Sequence, residues 1–158
     1  DEEGEAPADL NREIDRTLSV MTHEIPAGAA IVREFSPLPV IPCRPGEFNQ
    51  LFLGLLRNAF QAREEGLRVT IRTGVSGDRI RIAFADNGPG VPADLRTRIF
   101  EPFFSTRDVG KGKGLGLTVA YDIVTAHGGT IDVEDTPGGG ATFVLQLPIR
   151  RGSHDQIR

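Results

Sequence analysis

The alternating run RIRIAFA at residues 79–85 hands its inward parity to a carboxylate, Asp86, and the chain then breaks into NGPG. Side chains two apart share one face of a strand, so Asp86 points the same way as Ile80, Ile82 and Phe84, toward a packed side. A carboxylate there needs a hydrogen-bond donor, from the protein or from a ligand, because uncompensated burial is costly. Gly88 and Gly90 let the backbone turn beneath a ligand where a side chain would collide. A plain Asp-Asn-Gly turn is the competing reading. Downstream, GKGKGLGL at 110–117 runs into the start of a helix, where free N–H groups and the helix dipole favour phosphate. Arg107, Lys111 and Lys113 on that loop supply either phosphate contacts or ordinary solvated charge. The third candidate is Asn58, within NQLFLGLLRNAFQA at 49–62. On a helix it falls roughly 80° from the centre of the apolar stripe, a rim position. From a rim a neutral amide oxygen reaches into a cleft and completes a magnesium shell otherwise built from phosphate and water. A solvent-facing Asn is the alternative.

These groups must be held by regular elements. Leu10, Ile14, Leu18, Met21 and Ile25 recur at helical spacing, which predicts a helix over 9–24 ended by Pro26. A strand is expected at 30–34, and the proline-rich SPLPVIPCRPGE at 36–47 reads as a connecting loop. The longest helical pattern covers 47–63, with Phe48, Leu51, Phe52, Leu55, Ala59 and Ala62 on one stripe. Strands at 68–73 and 79–85 form a hairpin through GVSGD, a short helix follows near 93–100, and a helix at 115–127 ends on Gly128 and Gly129. A last hairpin pairs 130–134 with 141–147 through DTPGGG. The expected fold is an α/β (α+β) two-layer sandwich, a mixed and largely antiparallel sheet covered on one face by three helices. Residues 1–8 read as an acidic linker, 9–148 as the domain and 149–158 as a polar tail.

Composition narrows the class. A chain of 158 residues, 39% hydrophobic, suits one core. Net charge is -4 with the basic residues scattered, so no nucleic-acid footprint is indicated and any anion is bound locally. The single cysteine, Cys43, rules out an internal disulfide, and no apolar run approaches membrane-spanning length. A soluble, cytoplasmic segment without membrane insertion of its own is expected, cut from something longer.

The four segments NQLFLGLLRNAFQA, DNGPGV (86–91), FEPFF (100–104) and GKGKGLGL, in this order, resemble the catalytic and ATP-binding domain of sensor histidine kinases, in the superfamily that includes DNA gyrase and MutL. The resemblance spans 9–148 and implies a Bergerat-type fold with ATP and Mg2+ as cofactors. It implies that Asn58 is the catalytic magnesium ligand and that Asp86 accepts a hydrogen bond from the exocyclic amine of adenine. Gln61, Gly88, Gly90, Val91 and Phe100 then line the nucleotide, while Arg107, Lys111, Gly112, Lys113, Gly114, Leu115, Gly116 and Leu117 form the lid and phosphate cradle. Phe103 and Phe104 would hinge or dock that lid. The implied reaction is transfer of the γ-phosphoryl group to a histidine on a separate dimerisation domain, and indirectly to a response regulator in a two-component system.

Departures from the family pattern matter. Gly54 stands where histidine kinases usually carry a first Asn and gyrase-like ATPases a glutamate base, which argues against vigorous hydrolysis. Gln61 and Ala62 replace a Lys and an aromatic seen in many kinases, shifting phosphate binding onto the lid cations. The phosphoacceptor motif is imitated by HEIP at His23, yet His23 lies opposite its apolar stripe and no second long helix follows, so it reads as an exposed histidine. His127 reads as a partner of a helix C-terminus. A regulatory nucleotide-binding module and an anti-sigma-factor-like serine kinase remain alternative readings.

Overall fold

The computed structural model describes residues 4–101 and 115–149, with residues 115 and 116 described by their backbone alone. Two short strands, β1 (Ala6–Ala8) and β3 (Ile41–Cys43), form an antiparallel ribbon. Helix α1 (Leu10–Val20) and strand β2 (Ala30–Glu34) lie between them in sequence. Then follow α2 (Pro45–Phe60), β4 (Arg68–Ser76), β5 (Arg79–Asp86), α3 (Leu115–Ala126), β6 (Thr130–Asp135) and β7 (Ala141–Pro148). The main sheet runs β2-β4-β5-β7-β6, parallel only at β2–β4, so the expected mixed and largely antiparallel sheet is what forms.

One sheet face carries the core. Val69, Ile71, Ile80, Ile82, Phe84, Phe143, Leu145 and Leu147 are all buried, at alternate positions of the three central strands. Helix α2 answers with Phe48, Leu51, Phe52, Leu55, Leu56, Ala59 and Phe60, and the Phe52 and Phe84 rings lie 6.1 Å apart. Burying each such side chain contributes roughly 1.5–3 kcal/mol, so this interface is the main glue of the domain. Helix α1 adds Leu10, Ile14, Thr17 and Leu18 behind an Asp9 cap that accepts from the Asn11 N–H at 3.0 Å. Helix α3 stops where Gly128, at φ 78, and Gly129 return their N–H groups to Thr125 and Val124.

Several expectations need correction. Residues 6–8 are a strand rather than linker, and 41–43, expected as loop, are its partner. The register sets Pro7 opposite Pro42, a pair that exchanges no N–H···O bonds because neither has an N–H, so the prolines cost the ribbon nothing. Helix α1 is shorter than expected and passes through Met21 into a 3-10 turn at Thr22–Glu24. The 93–100 helix is two separate 3-10 turns, Ala93–Leu95 and Arg98–Phe100. At the far end Ile149 still belongs to the domain, donating its N–H to the Asp78 carbonyl at 2.9 Å. Residues 150–158 of the expected tail lie outside the described residues. Among the described residues no helix is long and apolar enough to cross a membrane.

Candidate functional site

Strand β5 ends on Asp86, and the parity argument holds: the residue is 4% exposed. Its oxygen Oδ1 accepts the Gly88 N–H at 2.9 Å, closing a local turn, and the Ala141 N–H at 3.2 Å from the start of β7. The turn reading and the buried-acid reading are therefore both realised at one side chain. No described residue donates to Oδ2. Burial raises the Asp86 pKa above the usual carboxylate value, and the Gly88 and Ala141 N–H groups pull the other way.

The glycines around Asp86 are required by the protein's own packing. A Cβ at Gly88 would stand 2.7 Å from the Cβ and the carbonyl oxygen of Ala62, just past the end of α2. A Cβ at Gly140 would meet the Asp86 carbonyl oxygen at 1.9 Å, and Gly140 has φ 114. Gly90, at φ 83, turns the chain beside Gly140. The expectation that a side chain at Gly88 would collide with a ligand thus gains a nearer cause: it collides first with α2. Val91 is half-buried on the same loop, and Arg96 fastens that loop by donating to the Val91 carbonyl at 3.3 Å and to Asp135 at 2.5 Å.

Asn58 lies in the last turn of α2, half-buried, between the exposed Arg57 and the buried Ala59. That is the rim position read from the sequence. Its side-chain amide bonds to no described residue, so both its oxygen and its nitrogen are uncommitted there. Gly54, one turn earlier, is half-buried and offers no base. Arg57 is anchored by a bidentate pair with Glu24, at 2.7 and 2.8 Å, which lowers the Glu24 pKa chiefly through the hydrogen bond. Gln61 is the exposed residue that ends the helix. Close packing of Gly88 on Ala62 brings the segment just past α2, four residues after Asn58, against the loop that follows Asp86.

Other predicted residues are placed differently. Phe100 stacks on Tyr121 at 5.8 Å and meets Phe143 edge-on at 6.3 Å, while Leu117 is buried in the core, so both side chains are engaged in packing. Leu115 and Gly116 open α3. Arg107, Lys111, Gly112, Lys113 and Gly114, with Phe103 and Phe104, lie outside the described residues. His23 is exposed on its 3-10 turn, as read. His127 pairs Nδ1 with the Ile123 carbonyl at 2.9 Å, which confirms its place at the end of α3. Sequence reasoning missed the Ala141 N–H and Gly140, although three consecutive glycines at 138–140 were a signal that this turn approaches another backbone.

A family profile described as histidine kinase-, DNA gyrase B- and HSP90-like ATPase matches residues 44–151. The chain belongs to this family. It is 38% identical over 154 residues to the sensor histidine kinase ZraS of Klebsiella oxytoca, covering 94% of this chain and 32% of that protein. The sensory histidine kinase/phosphatase NtrB of Salmonella typhimurium is 34% identical over 90% of this chain and 43% of its own length. The chain thus spans about a third to two fifths of these relatives. Among solved structures, the catalytic domain of histidine kinase ThkA superposes with a TM-score of 0.83 at 25% identity, covering 92% of this chain and 95% of that one. Members of the family share an ATPase domain, which residues 44–151 match here.

Proposed function

We propose that this chain is the ATP-binding catalytic part of a sensor histidine kinase, delivering the γ-phosphoryl group to a histidine on a separate dimerisation domain, from which a response regulator is served. The observation that carries the reading is Asp86: a buried carboxylate with one oxygen fastened by two backbone N–H groups and the other receiving no donor among the described residues. The exocyclic amine of adenine is such a donor, whereas the guanine carbonyl at the equivalent place is an acceptor and is repelled.

Asn58 fits the magnesium side. Among the described residues no cluster of three or more His, Cys, Asp or Glu side chains forms a metal cage, so a metal here takes most of its shell from phosphate and water. One uncommitted amide oxygen suits that arrangement. Mg2+, when bound, offsets the charge on the phosphates. The protein's part is to place adenine at Asp86 and the phosphates beside Asn58, so that the γ-phosphorus is presented in line to the incoming imidazole nitrogen. The bond from phosphorus to the β-phosphate oxygen breaks as the phosphorus–nitrogen bond forms, and ADP departs. With Gly54 on the rim, water finds no base, which preserves the phosphoryl group for its acceptor.

The test is incubation of the chain with γ-labelled ATP and the dimerisation domain of its parent protein. Label is expected on histidine, acid-labile and alkali-stable. Binding of ATP analogues without transfer would instead favour the regulatory module, and acid-stable label on a protein serine the serine-kinase reading. A chain that gives no calorimetric heat with ATP analogues overturns the nucleotide site altogether.

A further inference from the structure

We infer that Asn87 and Arg63 form a clamp that fixes the spacing between the adenine-facing carboxylate and the magnesium-facing amide, which makes both of them positioning residues for Mg2+–ATP. The inference rests on the proposed roles of Asp86 and Asn58. Asn87 follows Asp86 directly, and its side chain turns away from the pocket to grip the turn between α2 and β4. Its Nδ2 donates to the Gly66 carbonyl at 2.9 Å, and its Oδ1 accepts the Arg68 N–H at 2.9 Å. Arg63 completes the grip from the other side. It donates through Nε to the Glu65 carbonyl at 2.8 Å and through Nη1 to the Asn87 carbonyl at 3.2 Å. Gly88, where an added Cβ would stand 2.7 Å from the Ala62 Cβ and carbonyl oxygen, seats the two segments against each other.

The sum of these contacts is a short bridge from the turn that follows α2 to the residue after Asp86. A nucleotide that touches Asp86 with its base and Asn58 through its metal bridges the Asp86 loop and the helix that runs into the clamped turn. Binding at the second point is strengthened only to the extent that the first holds the ligand at the right span, an effective-concentration argument. The clamp is what sets that span. Asp86 does not need it to stay in place, because the Gly88 and Ala141 N–H groups hold its carboxylate independently. Loosening the clamp should therefore damage the contribution of magnesium more than the contribution of the base.

The measurable quantity is the magnesium increment, the ratio of the Kd of a non-hydrolysable ATP analogue in EDTA to its Kd in Mg2+. Calorimetry on the wild type, Asn87→Ala and Arg63→Met gives it directly, with circular dichroism melts to check folding. Arg63 is exposed, so Arg63→Met keeps the question open to an answer if Asn87→Ala folds poorly. Either variant is expected to shrink the increment by about fivefold while changing the EDTA affinity by less than about twofold. A merely structural role would weaken both affinities by the same factor and leave the ratio intact, and that result overturns the clamp alone. Asn58→Ala distinguishes the foundation: a wild type with no increment, or an Asn58→Ala variant with a full one, overturns the metal-ligand reading and the clamp with it.

Discussion

The two ends of the proposed site, Asp86 as the proposed adenine end and Asn58 as the proposed magnesium end, are built in opposite ways. At the adenine end, Asp86 is held by two N–H groups, pressed by the Gly140 turn, and set in a buried strand at the middle of the sheet. At the magnesium end, Asn58 bonds to no described residue, and its helix is steadied at this turn by an exposed ion pair between Arg57 and Glu24. The difference suits the chemistry proposed for each end. A hydrogen bond that selects one base requires an acceptor that cannot turn aside. A metal whose shell is mostly phosphate and water requires a ligand that can adjust as the phosphates arrive.

Breaking the fastened end has the largest expected effect. Gly140→Ala puts a methyl group 1.9 Å from the Asp86 carbonyl oxygen at a φ of 114, which side chains avoid. It should lose on the order of 3 kcal/mol of stability, read by chemical denaturation, and lose nucleotide binding with it. Asp86→Asn separates those two losses. The amide oxygen still accepts from Gly88 and Ala141 and no charge is buried, so the melting temperature should hold or rise. An amide nitrogen now faces the adenine amine, and affinity for an ATP analogue should fall roughly 10- to 100-fold by calorimetry.

Acidity sharpens the contrast more gently, because the carboxylates at the two ends shift in opposite directions. Asp86 has a raised pKa, chiefly from burial. Its contribution to stability is full below the unfolded pKa and is lost as pH rises through the folded one, so Asp86 does not drive acid unfolding. In the proposed contact, protonation of the second carboxyl oxygen puts an O–H donor against the adenine amine, so affinity should decline as pH is lowered through the raised pKa, and Asp86→Asn should flatten that decline. Glu24 is lowered, chiefly by its hydrogen bond to Arg57, so its contribution is present above the unfolded pKa and is lost as pH falls through the folded one. Glu24→Gln should therefore cost little, under about 1 kcal/mol, because the pair is exposed. A thermal melt near neutral pH measures it, and a loss well beyond that would show the magnesium end to be as firmly held as the adenine end.

How much of this could be read from residues alone depended on the range of the forces involved. Period-two alternation placed Asp86 on the inner face, and period-3.6 spacing put Asn58 on a rim, because both are local consequences of backbone geometry. The ribbon of residues 6–8 with 41–43 was hidden. Prolines argue against a strand when one segment is read alone, and only the pairing of Pro7 with Pro42 removes the objection. The two 3-10 turns at 93–100 were hidden for a related reason: Ile99 is buried and tethers a segment whose local pattern looks helical. Within the site, contacts across long sequence separations were the ones missed. Ala141 reaches Asp86 over 55 residues, and Asn87 reaches Gly66 and Arg68 from the next strand, none of which periodicity can reveal.

The position of β6 at the margin of the sheet has an effect on how molecules of this protein meet one another. Its outer backbone groups are unclaimed within the sheet order, and an unclaimed strand invites a second copy to add on. The strand reads TIDVED, with Asp132, Glu134 and Asp135 at or near that margin. Two such strands laid side by side would stack carboxylate on carboxylate. Asp135 is partly offset by Arg96 and Glu134 by Arg81, so the repulsion opposing such pairing would rest most on Asp132, and concentrated salt would screen it.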